Sequence, residues 1–236
     1  MLSILSANET FEASEFPRPE AVVFDLDGLM FNTEELYQSV GGELLRRRGF
    51  ESTPQLLDKM MGRPGRIALQ IMIDEHSLAA TVDDLTRETD EIFPAILDAR
   101  LAMMPGLANL LAVLEAAGVP KGIATSSRRS FVTDVLRRFA LEPRFQFVLA
   151  AEDVVDGKPH PEIYLTAASR FGVSPQRMMV LEDSQNGCRA AVAAGAIAVA
   201  VPGGHSVTHD FSGAAIIASS LADRRIYELL RLPHPS

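Results

Sequence analysis

Cysteine is almost missing from this chain of 236 residues, Cys188 being the single one. That excludes an intrachain disulfide framework and any cysteine-rich zinc site. Positive charge is also short, with 22 Lys and Arg against 31 Asp and Glu and a formal charge of −9. Such a balance argues against nucleic acid as the partner, although a small phosphorylated ligand can still meet a local cation. No stretch of about 18 residues is both apolar and free of charge. The opening MLSILSANETFEASEFPRPE has neither a basic start nor a sustained apolar segment. The expectation is a soluble, cytoplasmic protein with no membrane partner. Internal repeats and low-complexity tracts are missing too. What remains is 47% apolar and 22% charged, enough for a packed core and contrary to wholesale disorder. At a typical ~150 residues per domain, the length allows one or two domains.

Residues 1–20 are polar, acidic and interrupted by Pro17 and Pro19, which predicts a loosely held arm. Ala21 to Phe24 is then a short, apolar, β-branched run, as expected of a strand buried on both faces of a parallel sheet. From about Glu34 the period becomes helical. Thr33 is a candidate N-cap, Leu36, Val40, Leu44 and Leu45 lie along one stripe, and Gly49 is a stop signal. More helical segments follow, the last being TVDDLTRETDEIFPAILDARL, where Pro94 predicts a kink or a division. No alternating strand occurs in residues 36–102. After Met104, the short apolar runs KGIAT, FQFVLA, RMMVLED, AIAVAV and GAAIIA alternate with helical segments. Alternation of this kind specifies βαβ crossovers and a parallel sheet covered on both faces. The fold class is therefore α/β. Its core spans 21–35 and 103–236, and a helical domain over 36–102 is inserted after the first core strand.

Polar clusters stand where these strands end: Asp25 and Asp27, Thr125 to Ser127, Lys158, and Glu182 with Asp183. Open parallel sheets bind ligands at that edge, so distant stretches of chain converge on one crevice. If the chain stays extended through Leu26, Asp25 and Asp27 point the same way, and Gly28 then permits a tight turn. An acidic strand end capped by a turn is the plainer account of that pair. With Glu182 and Asp183 opposite, the acids form a hard oxygen set, with no nearby Cys or His, that favours Mg²⁺ over zinc. Carboxylates meeting in one cleft repel and need a cation, a part that Lys158 can share. Pro159 and Pro161 stiffen its KPHP loop; the alternative is a solvated loop lysine. Thr125, Ser126 and Ser127 lie between a strand and a helix, where hydroxyls and N–H groups bind phosphate oxygens or simply cap the helix.

Other polar residues read as structural. None of the five histidines shows ligand spacing, and His205 and His209 sit in GGHSVTHD among turn formers, a solvated loop. His160 stands beside Lys158 without an assigned part. Cys188 lies in a small-residue helix as a buried, inert thiol. Arg46, Arg47 and Arg48 form a charge run at a helix end, accounted for by the helix dipole and solvation.

Taken together, FDLDGLMFNTEE, IATSS, the KPHP lysine and LEDSQNG resemble, in order and spacing, the motifs of the haloacid-dehalogenase-like hydrolase superfamily. The resemblance runs from about residue 21 over nearly the whole chain. It implies a Rossmann-like core, and the helical insertion resembles the α-helical cap of sugar-phosphate phosphatases and β-phosphoglucomutase relatives. The implied activity is Mg²⁺-dependent hydrolysis of a small phosphorylated metabolite. Asp25 is implied as the nucleophile forming an aspartyl-phosphate, and Asp27 as general acid and then base. Thr125 and the Ser126 amide are implied to bind phosphate with Lys158. The implied metal shell draws on Asp25, the Asp27 carbonyl, Glu182 and Asp183, with Asp183 the direct ligand and Glu182 acting through water. Many relatives carry an aspartate where this chain has Asn32.

The cap is expected to close over the Asp25 crevice, with Arg63 and Arg66 as its candidates for touching substrate. A β-phosphoglucomutase-like mutase and a non-catalytic phosphometabolite-binding protein are the alternatives. Against the mutase, Tyr37 stands where those relatives have a cap histidine, and a neutral phenol is poorly suited to imidazole's proton handling near pH 7.

Overall fold

The computed structural model describes residues 12–60 and 65–235. Its contacts divide the chain into two units, one formed by Phe31–Met103 and the other by Met1–Met30 with Met104–Ser236. The second carries the sheet. Its strands are β1 (Ala21–Phe24), β2 (Lys121–Ala124), β3 (Val148–Leu149), β4 (Met178–Glu182), β5 (Ile197–Ala200) and β6 (Ile216–Ile217). All pair in parallel in the order β3-β2-β1-β4-β5-β6. Every side chain of β1 is buried, which suits a strand at the centre of a covered sheet.

The helices of this unit are α5 (Leu107–Ala116), α6 (Arg129–Arg138), α7 (Glu162–Phe171), α8 (Gln185–Ala193) and α9 (Arg224–Leu230). Ala167 and Ala168 of α7 and Ala190 and Ala191 of α8 pack with Val23, Met178 and Val180 in one core cluster. The chain leaves β1 for β2 on one side and leaves β4 for β5 on the other. The carboxyl ends of β1 and β4 thus flank the point where crossovers diverge, the usual ligand crevice of such sheets.

The other unit is helical: α1 (Thr33–Arg46), α2 (Pro54–Met60), α3 (Gly65–His76) and α4 (Val82–Arg100). Val40, Leu44 and Leu45 of α1 meet Leu85 and Ile92 of α4 in its core. Pro94 does not divide α4, which runs unbroken for 19 residues. Burial of Leu85, Ile92 and Leu97 along that helix outweighs the one hydrogen bond that proline removes. The arginine run is also more than a solvated end. Arg46 and Arg47 pair with Glu43, and the half-buried Arg48 joins α1 to Glu88 of α4.

Asn32, not Thr33, holds the N-cap position of α1, and its side chain makes no capping bond. The amide is used elsewhere: its Nδ2 donates to Arg100 O at 3.2 Å and its Oδ1 accepts from Ala102 N at 2.8 Å. Phe31 pairs antiparallel with Met103 beside it, so the two ends of the helical unit are clamped together. Only an amide both donates and accepts here. Asn32→Asp is expected to lower stability by about 1 kcal/mol, because a carboxylate would face the Arg100 carbonyl. Urea unfolding measures this, and an unchanged midpoint would refute the clamp.

The arm of residues 1–20 is partly held. Residues 1–11 lie outside the described part, but Ala13–Glu15 forms a 3₁₀ turn in contact with α9. Glu20 donates its N–H to Arg177 O at 2.7 Å and pairs with the Arg177 side chain. The GGHSVTHD loop folds as a 3₁₀ turn over Gly204–Thr208. Among the described residues no helix is long and apolar enough to cross a membrane.

Candidate active site

The β1–β4 ladder continues one residue past β1, where Asp25 donates its N–H to Leu181 O at 3.0 Å. Asp25 and Leu26 are buried and Asp27 half-buried. The two carboxylates meet different loops, Asp25 the one after β3 and Asp27 the one after β2. Asp25 Oδ1 accepts from Lys158 Nζ at 2.5 Å, and Asp27 Oδ2 accepts from Ser127 Oγ at 2.5 Å and Thr125 Oγ1 at 3.3 Å. Gly28 turns the chain at φ +76°, and a Cβ there would lie 2.2 Å from Asp183 Oδ2. Glycine is therefore needed twice over, for the turn and for Asp183.

Lys158 reaches inward from the loop after β3. That loop is tied by Glu162, whose carboxylate accepts the N–H groups of Val155 and Asp156 at 2.9 Å each. The ammonium spends all three protons, on Asp25 Oδ1, on Glu182 Oε1 at 2.6 Å and on Ala124 O at 2.9 Å. It is a buried ion, with 5% of its side chain exposed. His160 lies with Asp156 and Glu162 at the surface of the same loop, their ligand atoms within 4.8 Å, but both Glu162 oxygens already accept backbone N–H groups.

Glu182 ends β4 fully buried. Its Oε1 accepts from Lys158 and from the Tyr164 hydroxyl at 2.5 Å, and its Oε2 accepts from Ser184 Oγ at 3.0 Å. Ser184 is also the N-cap of α8, its Oγ accepting from Gly187 N at 3.0 Å. A Cβ on Gly187 would sit 1.8 Å from Glu182 Oε1, so glycine in the first turn of α8 leaves room for the carboxylate.

Burial pushes the Asp25 carboxyl up to about 8; Lys158 pulls it back, while Glu182 and Asp27 add to the rise. The Lys158 ammonium is held well above its usual range, Asp25 and Glu182 overcoming the cost of burial. Burial also raises the Tyr164 phenol, with Glu182 beside it, and raises the Cys188 thiol, which stays inert.

Asp25, Glu182 and Asp183 bring carboxylate oxygens within 4.8 Å of one another. Three carboxylates against one ammonium, all hard oxygen donors, fit a divalent cation of the Mg²⁺ type. The Asp27 carboxylate is turned instead toward the loop after β2. Thr125 and Ser126 stand at the end of β2, Thr125 buried and Ser126 exposed. Arg66 pairs with Asp83 at 2.7 Å on the surface of the helical unit, and Arg63 lies outside the described residues. Tyr37 stacks on Phe93 at 4.7 Å and lines a largely apolar cavity of about 430 Å³ within that unit.

Two contributors have parts that the sequence did not assign. The sequence reading gave Tyr164 no part, yet its hydroxyl holds Glu182 and its ring lies 5.1 Å from Lys158 Nζ. A tyrosine in the first turn after KPHP is the signal that marks it. Ser127 stood in a run of three hydroxyls, with nothing to single it out as the partner of Asp27.

Comparison with known proteins agrees with this geometry. The model of the haloacid dehalogenase-like hydrolase family matches residues 22–201. A phosphorylated carbohydrates phosphatase of Thermotoga maritima is 31% identical over 75% of this chain and 82% of its own. Protein CbbY of Cereibacter sphaeroides is 32% identical over 86% of this chain and 93% of its own. A family hydrolase from Deinococcus radiodurans, solved with bound phosphate and sodium, superposes with a TM-score of 0.79 at 28% identity, covering 92% of this chain and 99% of that one. With its parallel sheet, its helical insertion and its acids at the β1/β4 switch point, this chain belongs to the haloacid dehalogenase-like hydrolase family.

Proposed function

We propose that the protein is a Mg²⁺-dependent phosphomonoesterase acting on a small phosphorylated metabolite, with sugar phosphates the first class to test. The observation that carries this reading is the buried Asp25 carboxylate, 2.5 Å from Lys158 Nζ at the sheet's switch point. Phosphoryl transfer needs in-line placement and compensation of oxygen charge more than bond-making groups. Asp25 attacks phosphorus and forms an aspartyl-phosphate while the ester P–O bond breaks. Asp27 gives a proton to the leaving alcohol oxygen, then takes one from the water that opens the acyl-phosphate. Thr125, the Ser126 amide and Lys158 hold the phosphoryl oxygens. Lys158 can exchange its bond to Ala124 O for one of them while keeping both carboxylates.

Asp25 and Asp183 are the residues that would hold Mg²⁺ directly, with the Asp27 carbonyl completing the protein's share. Glu182, engaged by Lys158, Tyr164 and Ser184, serves from behind or through water. When bound, the cation supplies charge compensation for the transferring group. Its binding must displace a proton from Asp25, whose carboxyl is raised to about 8. Mg²⁺ affinity is therefore expected to fall as pH drops below about 8, by up to about tenfold per unit, with proton release on binding. Calorimetry in buffers of different ionisation enthalpy reads both, and an affinity flat from about pH 6 to 8 would contradict the linkage.

The decisive test is a panel of small phosphoesters assayed with Mg²⁺ and again with a chelator. Phosphate release that stops on chelation is expected. Saturable binding without turnover on any member would overturn the reading in favour of a binding protein. The panel includes β-glucose 1-phosphate with catalytic glucose 1,6-bisphosphate. Hydrolysis is expected to exceed isomerisation, and rapid formation of glucose 6-phosphate with little free phosphate would make the protein a mutase.

A further inference from the structure

Asp27 and an incoming phosphate compete for one proton. Thr125 Oγ1 donates to Asp27 Oδ2 at 3.3 Å, and a hydroxyl has a single proton to give. On the reading that Thr125 binds the substrate's phosphate, a premise taken from the proposed function, Asp27 loses that bond as substrate arrives. Ser127 remains. Its Oγ donates to the same oxygen at 2.5 Å, the shorter of the two bonds. The loop also fixes Ser127 at both of its backbone groups. Its N–H donates to Thr125 Oγ1 at 3.0 Å, and its carbonyl accepts from Ala151 N at 3.0 Å, in the segment after β3. Ser127 thus keeps its place whichever way the Thr125 proton points.

We propose that Ser127 is a positioning residue for Asp27, holding the acid/base carboxylate when the Thr125 hydroxyl turns to phosphate. The consecutive hydroxyls of TSS then divide their work, Thr125 serving substrate and Ser127 serving Asp27. Phosphate capture is coupled to a change in the hydrogen bonds of the acid/base group without any movement of the backbone.

The test uses Ser127→Ala, Ser127→Thr and Thr125→Val in the full chain. Ser127→Ala is expected to lower kcat by about 10- to 100-fold, as a misplaced acid/base group does, with KM and inhibition by inorganic phosphate within about threefold. Ser127→Thr restores kcat to within about threefold, because the hydroxyl returns. Thr125→Val weakens phosphate inhibition instead. Loss of phosphate affinity in Ser127→Ala with kcat unchanged would overturn the proposal, and so would failure of Ser127→Thr to rescue. Crystal structures of the wild type and Ser127→Ala, each with inorganic phosphate, give a readout independent of turnover. The Asp27 carboxylate is expected to leave the loop in the variant, and an unmoved carboxylate would overturn the proposal. If the wild type hydrolyses nothing on the panel, the phosphatase reading fails by itself, while the position of Asp27 in these structures still decides the part played by Ser127.

Discussion

Asp25→Asn is expected to reduce phosphoester turnover by at least about 10³-fold while leaving the fold intact. An amide oxygen is too weak a nucleophile to form the acyl-phosphate, and the neighbouring carboxylates have other parts, Asp183 that of a ligand in the proposed Mg²⁺ site. Asp27 is engaged by the loop after β2, and Glu182 by Lys158, Tyr164 and Ser184. The substitution hardly changes shape, and an amide oxygen can still accept from Lys158 Nζ, which donates to Asp25 Oδ1 at 2.5 Å in the native chain. Removing a carboxyl that burial pushes up to about 8 also relieves an unfavourable ionisation. The thermal midpoint without Mg²⁺ is therefore expected to stay level or rise. Near-normal turnover in a preparation free of host phosphatases would show that Asp25 is not the nucleophile.

Lys158→Met has the largest expected effect on stability. Methionine keeps the apolar stem but leaves Asp25, 6% exposed, and Glu182, fully buried, without their shared cation. Breaking a buried ion pair from one side costs about 3–5 kcal/mol, the price of an uncompensated buried charge. The sign with pH follows from the direction of the Asp25 shift. A carboxyl whose folded pKa lies above its unfolded value binds its proton more tightly in the folded state. Its folded form is unpenalised below the unfolded pKa of about 4 and loses stability as pH rises toward the folded value. Removing the lysine raises that value further. The part of the Lys158→Met deficit that Asp25 carries should thus be absent up to about pH 8, where both folded chains keep Asp25 protonated, grow above it, and disappear when Asp25→Asn is added. Urea unfolding in chelator across pH measures it, and a deficit independent of pH would mean that only packing was lost. Phosphoester turnover is expected to fall by about 10²- to 10³-fold as well, because charge on the transferring group loses a preorganised cation.

Much of this was legible in the residues. AVVF ending in DLD announced a buried strand with acids at its carboxyl end, and the switch from helical to alternating rhythm near Met104 announced the α/β core around a helical insertion. Local pattern failed where a distant partner decides. Pro94 looked like a break because proline removes a bond within its own helix, whereas the burial that keeps α4 whole comes from residues on α1. Arg48 looked solvated because Glu88 stands on another helix.

The order of residues alone determined which chemical groups follow each strand: two aspartates, then hydroxyls, then a lysine, then a second pair of acids. Strand periodicity and turn residues are short-range properties, so they survive in a linear reading. Which of those groups touch was decided only by the sheet. Placing β1 between β2 and β4 sets Asp25 beside Lys158 and Glu182 across sequence separations of more than a hundred residues, and it assigns Ser127 to Asp27 and Tyr164 to Glu182. The Asp25 and Asp27 contacts rest on non-local strand pairings, and no short window along the chain contains them.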